Sequence, residues 1–148
     1  MDACIFCGIV GGDLPASTVY EDAVVLAFMD INPVNPGHVL VVPKAHLPNL
    51  ADMDEATGER LFTIATRMAR ALRRSDIRCD AVNLFLADGV EAGQEVLHVH
   101  LHVIPRFGSD AFKIEADWSA PPPRQELDDR ADRLRQAYDT AGLPMHDG

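Results

Sequence analysis

Residues 98–105 read "HVHLHVIP", with histidine at every second position and an apolar residue after each. No other stretch restricts the fold as much. A period of two is the side-chain repeat of an extended strand. It predicts that His98, His100 and His102 share one face, with Val99, Leu101 and Val103 on the other. The apolar face has to be covered, so this strand needs helices packed against it. Three of the chain's six histidines fall in this one segment. Exposed strand positions ordinarily carry Thr, Lys, Glu or Ser, so the histidines call for a chemical explanation.

The remaining pattern supplies partners for such a strand. "TVYEDAVVLAFMDI" is rich in β-branched and aromatic residues and predicts two short strands broken near Glu21 and Asp22. "NPVNPG" (residues 32–37) is turn chemistry, and "HVLVVPK" predicts a third strand ended by Pro43. Leu61, Ile64, Ala65, Met68 and Leu72 then recur at helical spacing after a capping signature of Asp52 and Glu55, which predicts a helix over 54–73. "DAVNLFLA" (80–87) and "LHVHLHVI" (97–104) predict two more strands, joined by "DGVEAGQEV" in a hairpin-type connection. "SAPPPR" (119–124) reads as a linker. Beyond it Leu127, Ala131, Leu134 and Tyr138 mark an amphipathic helix closed by Gly142 and Pro144.

This order predicts an α+β fold, with a five-stranded antiparallel sheet, one long central helix and a C-terminal helix. The expected organisation is a domain over 1–118, with 119–148 forming a linker and a helix packed on that same domain. A chain of 148 residues is long enough to bury a core of this kind.

Charge narrows the partners. With 13 basic against 23 acidic residues the net charge is −10, which argues against binding a nucleic acid polymer. "RMARALRR" (67–74) lies on the helical pattern and reads as a solvated face. The longest apolar run, 23–29, is too short to cross a bilayer. The N-terminal residues lack the basic start and apolar stretch of a secretory signal, so the expected location is cytoplasmic. In that setting Cys4 and Cys7, spaced C-x-x-C, point to metal binding rather than a structural disulfide. A redox motif needs a preceding strand, and only three residues precede Cys4. Cys79 is expected to be a buried apolar residue.

A three-histidine metal centre on residues 98–102 is the obvious rival reading. Alternate strand residues lie about 6.6 Å apart, so His98 and His102 are separated by about 13 Å at the backbone. A zinc–nitrogen bond is only about 2.0 Å, so all three rings on one ion would be strained. The histidines therefore divide their labour. Imidazole is a nucleophile that titrates near neutral pH and leaves well from phosphorus. "EAGQEVLHVH" supplies donors just upstream. Gly93 permits close backbone approach, Gln94 offers a side-chain amide, and the N–H groups around Glu95 and Val96 can cradle oxygens.

"HVHLHV" matches the alternating signature of the histidine triad family, and "YEDAVVLAFMDI", "PGHVLVVPKAH" and "DGVEAGQEVLHVHLHVIPR" resemble its segments in the same order, over about residues 4–107. The resemblance implies that His100 is the nucleophile toward the α-phosphate of a nucleotide, supported by His102, with His98 as the triad's third member. It matches His38 to a histidine at the active-site edge. Asp30 corresponds to the residue that receives the ribose hydroxyls, and Ile5, Phe6, Phe28 and Ile31 to the positions that sandwich the base. A glutamine at position 102 would mark the nucleotidyltransferase branch, so His102 implies the hydrolase branch. Implied substrates are nucleoside phosphoramidates, adenylates or dinucleoside polyphosphates, with a purine nucleotide or conjugate as partner. The alternative is a nucleotide-binding module with little catalysis, acting through protein partners. Members of this size pair into homodimers. The family's zinc-containing members complete a structural site from positions matched here by His46 and His98, alongside Cys4 and Cys7. Two departures stand out. Glu95 occupies a position where Ser or Thr is usual, and Ala87 one where Asn or Gln is common.

Overall fold

The computed structural model describes residues 3–141, so Gly142 and Pro144, expected to close the last helix, lie outside the described residues. The elements run α1 (Ile5–Val10), β1 (Thr18–Glu21), β2 (Val25–Met29), β3 (Val39–Pro43), α2 (Glu55–Arg74), β4 (Ala81–Phe85), β5 (Leu101–Arg106) and α3 (Arg124–Thr140). The five strands form one antiparallel sheet in the order β1-β2-β3-β5-β4. The architecture is α+β, as the alternation of patterns implied.

Both faces of the central strands are buried, which explains why β2 and β3 read as unbroken apolar runs rather than as alternating ones. Val25, Ala27, Val39, Val41, Val99 and Val103 face Leu61, Ile64, Ala65, Met68 and Leu72 of α2. The alternate residues Leu26, Phe28, Leu40 and Val42 turn the other way and pack with Phe6 of α1. Both clusters are set by the period of two meeting the period of 3.6. The α2 N-cap is Asp54, whose carboxylate accepts from the Thr57 N–H, rather than the expected Asp52.

Helix α1 was not anticipated. Its six residues lie between the first cysteine and a glycine-rich turn, too short for a periodic signal. The last strand also differs from expectation. It begins at Leu101, because β3 reaches it only from Val41↔Leu101 onward and β4 from Phe85↔His102 onward. Residues 98–100 lie outside the ladder, with the His98 N–H turned back onto the Val96 carbonyl and the Val99 N–H donating to the Leu47 carbonyl. Their alternation survives all the same, with Val99 in the α2 cluster and the His98 ring against Phe6. Cys79 is half-buried against the α2 cluster rather than enclosed, and its thiol donates to the Ala81 carbonyl.

The chain divides into two compact units, Met1–Phe112 and Lys113–Gly148. The first contains the whole sheet, α1 and α2. The second contains α3, whose i,i+4 pair Glu126–Arg130 suits an exposed helix. No helix among the described residues is long and apolar enough to cross a membrane.

Candidate functional site

Two loops bring the histidines together. The turn before β3 ends at Gly37, whose φ of 98° puts it in the left-handed region open to glycine. That turn delivers His38 into the sheet beside β5. The connection after β4 runs through a 3₁₀ turn over Val90–Ala92 and ends on Gly93, at φ 87°. Beyond Gly93 it brings Glu95, Val96, His98 and His100 past Phe6.

Each ring's proton is assigned by what its other nitrogen meets. A backbone carbonyl only accepts, so His98 carries its proton on Nε2, 2.8 Å from the Pro43 oxygen. His100 carries its proton on Nδ1, 2.8 Å from the His98 oxygen. Its Nε2 is therefore left with a free lone pair. His38 Nδ1 accepts from the Val34 N–H at 3.0 Å, so its proton sits on Nε2 and points at His102 Nδ1, 2.8 Å away. His102 must then hold its proton on Nε2. Burial pushes His102 down to about 4, with His100 and His38 adding to the effect. Burial also pushes His38 down, against the pull of Asp30, whose carboxylate stands 3.5 Å from His38 Nε2. Both rings are neutral near pH 7. His38 thus donates to a neutral His102, and His100 Nε2 is left without a protein partner among the described residues.

His100 and His102 open onto a cleft of about 340 Å³. Its lining includes Ile5, Phe6, Phe28, Asp30, Ile31, Glu95 and Val96 from the expected set, joined by Ile9, Leu14, Pro15, Ala16 and Leu40. Leu14, Pro15 and Ala16 carry no periodic signal, because they sit in an irregular segment. Phe6 is the pivot, with its ring edge-on to Phe28 at 5.6 Å and to His100 at 5.1 Å. Ile31 remains 86% exposed, so it can cover a ligand but is not held as a wall.

Gln94 corrects one expectation. Its side chain is buried, donating to the Pro48 and Val96 carbonyls at 2.8 and 3.0 Å and accepting from the Gly89 N–H at 2.8 Å. Nothing of this amide is left for a phosphate, so its role is to brace the 89–96 loop. By contrast, the backbone N–H groups of Glu95 and Val96 meet no protein acceptor among the described residues. Ala87 is buried rather than facing the cleft.

A second cluster lies behind Phe6. Cys4, Cys7, His46 and His98 hold their ligand atoms within 4.8 Å of one another. Cys4 Sγ is 3.4 Å and Cys7 Sγ 3.6 Å from His98 Nδ1, and Cys7 Sγ is 3.3 Å from His46 Nδ1. The edge of a tetrahedron with Zn–S of about 2.3 Å and Zn–N of about 2.0 Å is about 3.6 Å, so the four residues fit that ion. Because His98 Nε2 is spent on Pro43, its Nδ1 lone pair is the one offered to the cluster. Burial and the neighbouring Cys4 push the Cys7 thiol up, a shift that a bound divalent cation reverses.

Residues 12–109 match the HIT domain. The chain belongs to the HIT family. This HIT protein superimposes with a TM-score of 0.85 on the crystal structure of SMU.412c from Streptococcus mutans UA159, at 39% identity, covering 93% of this chain and 86% of that one. A zinc-bound histidine triad family protein from Mycobacterium smegmatis is likewise 39% identical, with a TM-score of 0.73 over 91% of this chain and 97% of its own. Among curated relatives, the adenylylsulfatase HINT3 of Arabidopsis thaliana is 31% identical over 134 residues, spanning 88% of this chain and 65% of that protein. The matched HIT domain starts after Cys4 and Cys7, so it contains His46 and His98 but not the two thiols.

Proposed function

We propose that this HIT protein is a nucleotide hydrolase in which His100 attacks the α-phosphorus of a nucleoside phosphoramidate, adenylate or dinucleoside polyphosphate. The observation that supports this most directly is the hydrogen bond from His100 Nδ1 to the His98 carbonyl. It leaves the Nε2 lone pair as the nucleophile and stabilises the positive charge that grows on the ring during attack. Membership of a family that includes an adenylylsulfatase supports the same reading.

The balance of the reaction follows from the tautomers. The bond from His100 Nε2 to phosphorus forms as the bond to the leaving group breaks, and the leaving group departs with the electron pair. Where it needs a proton, solvent supplies it, and the His102 Nε2–H donates a hydrogen bond to the departing atom. Water then attacks the phosphorus and its proton passes to solvent. The pair returns to His100 and the nucleoside monophosphate is released. The free N–H groups of Glu95 and Val96 meet the phosphate oxygens, Asp30 accepts from the ribose, and the base lies among Ile5, Phe6, Phe28 and Ile31. Cys4, Cys7, His46 and His98 would hold a zinc ion, which would supply a cross-link fixing α1, and with it Phe6, against the site. β4 is an edge strand with Leu84 and Phe85 exposed, where a second copy can extend the sheet into a homodimer.

The test is mass spectrometry of the intact protein after mixing with adenosine phosphoramidate, with AMP release followed in parallel. The expected result is a transient adenylyl adduct that His100→Ala eliminates along with turnover. Normal turnover by that variant refutes the mechanism. AMP binding without adduct or turnover in the wild type supports the second reading, a nucleotide-binding module, which the buried apolar Ala87 favours.

A further inference from the structure

The charge of the cleft departs from what a phosphate site ordinarily provides. Among the described residues that line it, Asp30 and Glu95 are acidic, and none is Lys or Arg. The two carboxylates are not equivalent. Asp30 is engaged, with one oxygen accepting from the Asn32 N–H at 2.8 Å and the other 3.5 Å from His38 Nε2. Glu95 is exposed and has no hydrogen bond or ion pair among the described residues. A carboxylate only accepts, so an unpartnered one beside the nucleophile favours a ligand that brings positive charge.

Resting on the hydrolase reading above, we infer that Glu95 is the specificity-determining residue for the leaving group, selecting one that carries an ammonium and disfavouring anionic ones. The α-phosphate is held by backbone N–H groups and His100. Both are indifferent to what lies beyond the scissile bond. Glu95 lies on the loop that enters the triad, in the same cleft as His100, so the leaving group passes through its field. The acidic chain as a whole adds to that field, with a net charge of −10 and no basic side chain on the cleft wall to offset it. Amine-bearing conjugates of a nucleotide are thereby favoured over sulfate, pyrophosphate or nucleoside diphosphate as leaving groups. The chemical step is unchanged. The P–N or P–O bond breaks, its electron pair goes to the departing atom, and an amine that needs a proton takes it from solvent.

Three adenosine phosphoramidates of equal length, with aminoethyl, propyl or carboxyethyl groups on the nitrogen, separate charge from size. With wild-type protein, kcat/KM should fall in that order, each step by about fivefold, which is what one solvent-accessible ion pair supplies. Glu95→Gln should bring the three within about twofold, and high salt should compress the wild-type order. Equal kcat/KM values in the wild type, or an order that persists in Glu95→Gln, overturn the inference. If none of the three yields AMP or an adduct, the hydrolase reading fails instead. Calorimetric binding of the same three compounds to both proteins then reads the charge preference, and equal affinities overturn it.

Discussion

Replacing Gln94 by alanine separates a brace from a phosphate ligand. The side chain makes three hydrogen bonds, to Pro48 O, Val96 O and Gly89 N–H. All three are partly buried, so each contributes about 0.5–1 kcal/mol net, or about 2 kcal/mol together. Losing the buried methylene adds about 0.8 kcal/mol. The expected destabilisation is therefore about 3 kcal/mol, on the order of a hundredfold in the folded-to-unfolded ratio and about 10 °C in Tm. Urea unfolding and thermal melts at pH 7 measure it, with AMP binding followed by calorimetry on the folded fraction. A brace should show the full stability loss together with slowed turnover, because the loop bearing Glu95 and Val96 loses its anchor. A Tm unchanged within about a degree, with AMP affinity down by tenfold, would show that the amide serves the phosphate and that the assigned bonds are wrong.

Three further outcomes follow from the same geometry. Because folding lowers the pKa of His102 to about 4, the unfolded chain binds its proton first as pH falls below about 6.5, so stability should drop between pH 6.5 and 4; His102→Gln should flatten that part of the curve in pH-dependent urea titrations, and an unaltered curve refutes the assignment. Metal analysis should find about one zinc per chain, lost or weakened in Cys4→Ser, and a metal-free wild type of equal stability would rule the site out. At Gly37, with φ 98°, an added Cβ would stand 2.7 Å from Ile77 Cγ2 and 3.1 Å from Leu72 Cδ2. Gly37→Ala should accordingly cost about 2–4 kcal/mol, strain and overpacking combined, and displace His38; a melt within a degree of wild type contradicts this.

Much of this architecture was legible because alternation is a local property. The pattern of residues 98–103 told which side chains face α2 and which face away, and it did so correctly even where the ladder is missing. The five strands and the long helix were readable for the same reason. Helix α1 was not, since six residues carry too little periodicity to signal anything. Gln94 misled because a polar side chain near a phosphate motif looks the same in sequence whether it points at the ligand or into the protein.

Periodicity assigns a side chain to a face but not to a partner. Cys4 and His98 stand 94 positions apart, and His38 and His102 stand 64 apart. Nothing in either neighbourhood states that they meet. Which ring nitrogen is free is a still finer matter. It follows from the Pro43 and His98 carbonyls and the Val34 N–H, groups every residue possesses and no side-chain pattern can encode. The chain's alternating residues were enough to specify a sheet with histidines on one side. Leaving His100 Nε2 free, aiming the His38 proton at His102 and turning His98 Nδ1 toward two cysteines took the packing of loops around them, because backbone acceptors acquire positions only when the fold closes.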